Sequence, residues 1–298
     1  MSKARLSGVI AAIATALDEN GEPDSARSTG LANFLLDQGC DALNVLGTTG
    51  EATSFSTEQR RKLMNAYRAA GLPMERLMVG TGAAAVRDAV ELTRHAAELG
   101  FAAALVLPPF YYKGVADEGL MAYVDAIVAA TERKPIPIYL YHFPALSGVP
   151  WHVGLLARLV SRFGGRIAGL KDSSGDLGFA RAAAAVAPGF AVFPSNEAAL
   201  LEARNGPFAG CISATVNLNA DLCARAFRSG DAVALEAAVN IRKLFDGKPL
   251  VAGVKALLSH VHGDPAWGRV MPPLTPFSVA ERAVAVAGYD SVRARRVA

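Results

Sequence analysis

From residue 6 to residue 228 the sequence alternates about eight times between a short apolar run and a longer segment of helical character. The apolar runs fall at 6–15, 42–46, 77–80, 102–107, 136–141, 167–171, 190–193 and 210–214. Near-continuous runs of this length mark strands buried on both faces, as in a parallel sheet. Between them, helices are predicted over 24–38, 57–70, 87–99, 117–132, 153–163, 177–187, 197–204 and 221–228. Asp24 and Thr57 stand where capping side chains belong, and Gly39, Gly71 and Gly100 where helices stop. The order strand–helix, repeated without a long linker, predicts an α/β fold, a (β/α)8 TIM barrel. Residues 231–298 hold no obvious strand and read as helices over 232–245, 251–261 and 278–288, punctuated by Pro249, Pro265, Pro272 and Pro273. The expected organisation is therefore a barrel over 1–230 with a C-terminal helical extension, 231–298, on the same domain.

The bulk numbers exclude several classes of function. With 52% hydrophobic residues, 298 residues suffice for one barrel and its core. The net charge of +3 is spread out, so no nucleic-acid face is expected, and the basic tail 293–296 reads as a solvated terminus. Cys40, Cys211 and Cys223 form no C-x-x-C pair, which argues against a disulfide framework or structural zinc and fits a reducing cytoplasm. No apolar run reaches membrane-spanning length, and residues 1–6 lack the apolar core of a signal peptide. A soluble cytoplasmic protein is expected.

Catalytic groups of such barrels sit at the C-terminal ends of the strands. Those ends carry Thr15, Thr48, Thr49, Thr81, Tyr141, Lys171, Ser195 and Ser213. One lysine stands among hydroxyls, and no cluster of histidines or carboxylates offers a metal site. Lys171 closes the apolar run 167–170, where poor solvation disfavours an ammonium and leaves an amine able to attack a carbonyl. Each residue alone has a plainer reading: a snorkelling lysine, an aromatic packed at a strand end (Tyr141), a tight turn (47–50). Glu51 reads as a buried carboxylate accepting backbone hydrogen bonds, Lys255 as a helix-surface residue, and His260 with His262 as a solvated pair at a helix end.

Four segments occur together: Gly47-Thr48-Thr49-Gly50-Glu51, Phe110-Tyr111-Tyr112, Tyr141-His142-Phe143-Pro144 and Gly169-Leu170-Lys171-Asp172-Ser173. In order and spacing they resemble the dihydrodipicolinate synthase / N-acetylneuraminate lyase family of class I, pyruvate-dependent aldolases, from Gly8 to Pro276. The resemblance implies that Lys171 forms a Schiff base with a 2-oxo acid and that Tyr141 relays protons beside it. It implies that Thr48 and Thr49, with Gly47, hold the pyruvate carboxylate. Tyr112, or Tyr111, resembles the tyrosine lent to a neighbouring subunit, so a homotetramer built as a dimer of dimers is expected. Pyruvate and an aldehyde are the implied partners, with no cofactor and no metal. Ser195, Glu197, Ile212, Ser213 and Leu146 complete the expected substrate-binding set.

Within that family the synthase branch carries an arginine where this chain has Leu146, and an apolar residue cannot grip a carboxylate as a guanidinium does. Pro144-Ala145-Leu146-Ser147-Gly148 resembles the sialic-acid lyase branch instead, in which Glu197 and Ser213 would meet sugar hydroxyls. Pro194-Ser195-Asn196 and His142 depart from both branches. The expectation is cleavage or dehydration of a sugar-derived 2-oxo acid, with the synthase as the alternative reaction. A non-catalytic 2-oxo acid sensor is the alternative of another class. A phosphosugar enzyme ranks below these, because Ser195-Asn196-Glu197 and Ser213-Ala214-Thr215 are not glycine-rich.

Overall fold

The computed structural model describes residues 5–294, so the first four residues and the last two arginines of the basic tail lie outside the described part. Eight strands, all parallel, follow the predicted order: β1 Gly8–Ala12, β2 Ala42–Val45, β3 Leu77–Gly80, β4 Ala103–Val106, β5 Ile138–His142, β6 Ile167–Asp172, β7 Ala191–Pro194 and β8 Gly210–Ser213. Each pairs with its sequence neighbour, and β8 returns to β1. Between β7 and β8 the ring closes through Ala209 N–H donating to Val192 O at 2.9 Å. The expected eight-stranded α/β barrel is present.

The helices that cover it are α1 Ser25–Asp37, α2 Thr57–Ala69, α3 Val86–Leu99, α4 Asp117–Ala130, α5 Pro144–Ser147, α6 Val153–Phe163, α7 Leu177–Ala184, α8 Leu200–Asn205 and α9 Val216–Ser229. Three more, α10 Ala232–Lys243, α11 Leu250–Val261 and α12 Val279–Ala294, follow the last barrel unit. No described helix is long and apolar enough to cross a membrane. Asp24 caps α1 as expected, accepting from Arg27 N–H. The cap of α2 is Ser56 rather than Thr57; its hydroxyl and the Gln59 side chain form a reciprocal capping box, which moves the start one residue back. The single turn α5 follows β5 directly and is too short to show a helical period in the sequence.

Strand residues alternate between two cores. Ile10, Met78, Leu105, Tyr139 and Phe193 fill the inside of the barrel, whereas Val9, Val79, Ala104, Leu140 and Val192 pack outward against the helices. Close approach is paid for by glycine at two inner positions. A Cβ on Gly169 would lie 2.0 Å from Ala191 O and 2.7 Å from the Tyr139 ring. One on Gly80 would lie 2.0 Å from Leu46 O, so β3 can pass the carbonyl that turns the chain into the 47–50 loop.

Lys255 corrects the sequence expectation. It is not on the surface but fully buried, with Nζ 2.5 Å from Glu51 Oε1. The other carboxylate oxygen accepts Met271 N–H at 2.6 Å. Glu51 is thus the buried acceptor that was expected, with a lysine as its second donor. The helix around Lys255 is apolar on nearly every side, with Ala252 through Ser259 all buried, so its sequence gives no polar face to place the lysine on. Burial lowers the Lys255 pKa, and the Glu51 carboxylate opposes that shift.

Removing one partner of a buried pair strands the other charge. Lys255→Met is expected to lower unfolding stability by about 3–5 kcal/mol in urea titrations. Adding Glu51→Gln should recover more than half of that loss. A single variant as stable as the wild type would show the pair to be energetically idle.

Candidate active site

The mouth of the barrel is assembled by strand register. Lys171, next to last in β6, is paired with Tyr141 of β5 on one side and Phe193 of β7 on the other. Lys171 is 3% exposed, and its Nζ lies 4.3 Å from the centroid of the Tyr141 ring. The Tyr141 hydroxyl and Thr48 Oγ1 share a hydrogen bond at 3.2 Å. Trp151 fixes this arrangement from behind, donating Nε1–H to Tyr141 O at 3.2 Å. An amine, a phenol and an alcohol therefore stand in line at the ends of β6, β5 and β2.

Thr48 and Thr49 occupy a loop bounded by two left-handed residues, Leu46 at φ 52° and Glu51 at φ 54°. Such conformations cost a non-glycine residue on the order of 1–3 kcal/mol each and persist only where the surroundings hold them. Here Thr15 Oγ1–H donates to Gly50 O at 2.9 Å, and the Lys255–Glu51 pair holds the far end. The backbone N–H groups of Thr48 and Thr49 have no partner among the described residues. With the threonine hydroxyls they form a set of donors suited to a carboxylate.

These groups open into a cavity of about 430 Å³. Thr48, Thr49, Tyr141 and Lys171 line it together with Leu146, Ser195 and Ile212 from the expected substrate-binding set. Gly47 borders a smaller adjoining crevice of about 30 Å³, shared with Thr48 and Tyr141. Glu197 and Ser213 lie behind the wall: Glu197 is fully buried and accepts from Ser213 Oγ–H at 2.8 Å and from the Thr215 hydroxyl. Thr81 accepts from Thr93 Oγ1–H, so this strand-end hydroxyl, like Thr15, is engaged within the scaffold. Tyr111 and Tyr112 stand on the outside, 76% and 73% exposed.

Sequence reasoning missed the roof. Arg242 of α10, Pro249, Leu250 and Val251 at the start of α11, and Leu274 all line the cavity. None lies at a strand end. Arg242, a cation in the last turn of a helix, looks in the sequence like a residue facing solvent. Among the described residues no group of three histidines, cysteines or carboxylates is placed to hold a metal ion. His260 and His262 are both exposed, as expected; His260 pairs with Asp290 at 2.9 Å, and one face of His262 packs against Phe34 and Trp267.

Residues 5–287 match the dihydrodipicolinate synthetase family. The chain belongs to that family. It is 31% identical over 293 residues, 96% of its length and 97% of the relative's, to an uncharacterized DapA-like lyase of Chloroflexus aurantiacus. The solved dihydrodipicolinate synthase of Agrobacterium tumefaciens superposes with a TM-score of 0.90 at 27% identity, covering 96% of this chain and 99% of that one. The N-acetylneuraminate lyase of Proteus mirabilis gives 0.85 at 25% identity, covering 97% and 99%. Members of the family are lyases and aldolases, and this chain is an enzyme of that type.

The residue after Tyr141 in β5 is a titratable one. His142 is buried behind Tyr141, stacked on Phe179 at 4.3 Å, and its Nδ1 accepts Trp151 N–H at 3.1 Å. That bond requires a neutral ring. Burial pushes the His142 pKa down to about 4, against an opposing pull from Asp176. The unfolded chain, with a histidine pKa of about 6.5, binds a proton that the folded chain refuses between those values. Stability is therefore expected to fall as pH drops from about 6.5 to about 4, by roughly 1–3 kcal/mol from this group. His142→Asn keeps an acceptor for Trp151 and should flatten that part of the pH dependence in denaturant titrations at pH 7, 5.5 and 4.5. Identical slopes in the two proteins would clear His142 of the effect.

Proposed function

We propose that the enzyme joins and cleaves carbon–carbon bonds through an imine between Lys171 and the 2-oxo group of pyruvate or of a pyruvate-derived acid. The placement of Lys171 Nζ against the Tyr141 ring, whose hydroxyl bonds to Thr48, carries this reading. Thr48 and Thr49 hold the substrate carboxylate on their hydroxyls and free backbone N–H groups, which points C2 at the amine. Attack by Nζ and loss of water give the imine. Loss of a C3 proton from its protonated form gives the enamine, with the nitrogen as electron sink. In the synthetic direction C3 then attacks an aldehyde carbon, the aldehyde oxygen takes up a proton, and water releases the 4-hydroxy-2-oxo acid from Lys171. Cleavage runs the same steps backward. Tyr141, in line with Thr48, is the group that moves protons at the carbinolamine and at the acceptor oxygen.

This chemistry asks for no metal or organic cofactor, since the lysine itself supplies the electron sink. The assembly belongs to the same reading. Tyr111 and Tyr112 meet edge to face at 5.2 Å, and Lys113 pins their loop by donating to Phe110 O and Ser147 O. A held, outward-facing aromatic pair favours contact with a second copy of the chain. Tyr112 is the residue assigned to reach the neighbour's cavity.

Borohydride reduction in the presence of pyruvate should leave a stable adduct on Lys171, located by peptide mass spectrometry and absent from Lys171→Ala. A folded protein without that adduct defeats the imine. Tyr141→Phe should lower kcat by about 10²–10⁴-fold, the range of general acid–base catalysis, as read from aldol turnover. A loss of less than threefold would remove Tyr141 from the proton path.

A further inference from the structure

The imine reading leaves the second substrate open, and the inference that follows rests on that reading. Arg242 is tethered by one nitrogen only. Its Nη1 lies 3.1 Å from Ser195 O, 3.3 Å from Ser213 Oγ and 3.4 Å from Glu197 Oε2. Its Nε and Nη2 have no partner among the described residues, and the side chain lines the same cavity as Lys171. One edge of the guanidinium is thus locked in the wall while the Nε–Nη2 edge is left for a ligand. That edge presents two parallel N–H groups, the geometry that accepts a carboxylate two-pronged.

The rest of this part of the cavity is mostly apolar, with the hydroxyls of Ser173 and Ser195 as its other polar side chains. Phe143, Leu146, Ile212, Leu250, Val251 and Leu274 are apolar. Glu197 and Ser213, the side chains a sugar chain would need, are bonded to each other and to Thr215. A polyhydroxylated acceptor would bury more hydroxyls than these two serines can partner, which is costly. A dianionic phosphate would want a second cation, yet Glu197 already offsets part of the Arg242 charge and Lys171 is committed to the imine.

We propose that Arg242 sets the acceptor specificity: the aldehyde half of the substrate has an apolar chain and ends in a carboxylate held by the Nε–Nη2 edge. The test uses pyruvate with succinic semialdehyde, butyraldehyde, glyceraldehyde and glyceraldehyde 3-phosphate in turn, following pyruvate consumption. Wild-type kcat/KM for succinic semialdehyde should exceed that of each of the other three by about tenfold or more, the scale of one charge-assisted hydrogen-bonded contact. Arg242→Gln should raise KM for succinic semialdehyde about tenfold beyond any rise it causes for butyraldehyde. Arg242→Lys keeps a charge beside Glu197, so the fold is retained, but loses the second prong and should show a smaller rise of the same kind. An enzyme that forms the Lys171 adduct yet uses succinic semialdehyde no better than the others overturns the Arg242 assignment alone. Equal KM changes for all acceptors do the same. Absence of the adduct overturns both readings.

Discussion

Glu51 and Lys255 are separated by 204 positions in sequence and meet at 2.5 Å with no solvent exposure. Burying two charges is expensive, and such a pair is weak evidence for stability in itself. Its effect here is positional. Glu51 is one of the two left-handed residues that frame the Thr48–Thr49 loop, and Lys255 sits in the helix whose first turn roofs the cavity. The second carboxylate oxygen takes Met271 N–H, in the segment that leads to Leu274 on the same roof. A single carboxylate therefore ties the Thr48–Thr49 loop to both pieces of chain above it. Without it, the loop strain at Leu46 and Glu51 would have Thr15 and the Gly80 contact to resist it but no anchor on the helical side.

The cavity consequently has two kinds of wall. Its floor is made by register and one loop: β5 and β6 pair Tyr141 with Lys171, and the loop after β2 brings Thr48 to the Tyr141 hydroxyl. Its roof is made by helix packing, from α10, α11 and the 271–274 segment, and is tied to the floor through side chains: Lys255 to Glu51, and Arg242 to Ser195, Glu197 and Ser213. Chemistry that needs reacting atoms in line belongs on the floor. Selection among acceptors needs only complementary shape and charge, and can be placed on the roof.

The same division explains what could be read from the sequence. The strand order and Lys171 were legible because a buried parallel strand is a continuous apolar run, and a charge at its end breaks the run visibly. Glu51 was legible as a buried acceptor from its place beside a tight glycine loop. Lys255 was not, since a lysine within Val254-Lys255-Ala256-Leu257 offers no sign of which charge it faces 204 positions away. Thr57 was expected as the cap in place of Ser56 for a local reason: two adjacent hydroxyls both fit, and only the Gln59 side chain, reaching back to Ser56 N–H, selects between them. Glu197 and Ser213 were legible as neighbours of the site. That their hydrogen bonds run inward depends on Thr215 and Arg242, which no strand-end reading includes.

On the proposed reading, Leu146 and Arg242 together let a site of this design change its acceptor without disturbing its chemistry. Leu146 follows β5, lines the cavity and is 61% exposed, so a side chain there faces the cavity and supports little beneath it. A leucine at that point removes a charge at little structural cost. Arg242 enters from α10, on the side of β7 and β8, and brings a guanidinium whose tethers are a backbone carbonyl, a hydroxyl and a buried carboxylate. Because Glu197 holds Arg242 from behind, the ligand-facing edge is fixed in direction before any substrate arrives, and little side-chain entropy is left to lose on binding. On the proposed reading, Glu197 is the support of the arginine that reads the acceptor.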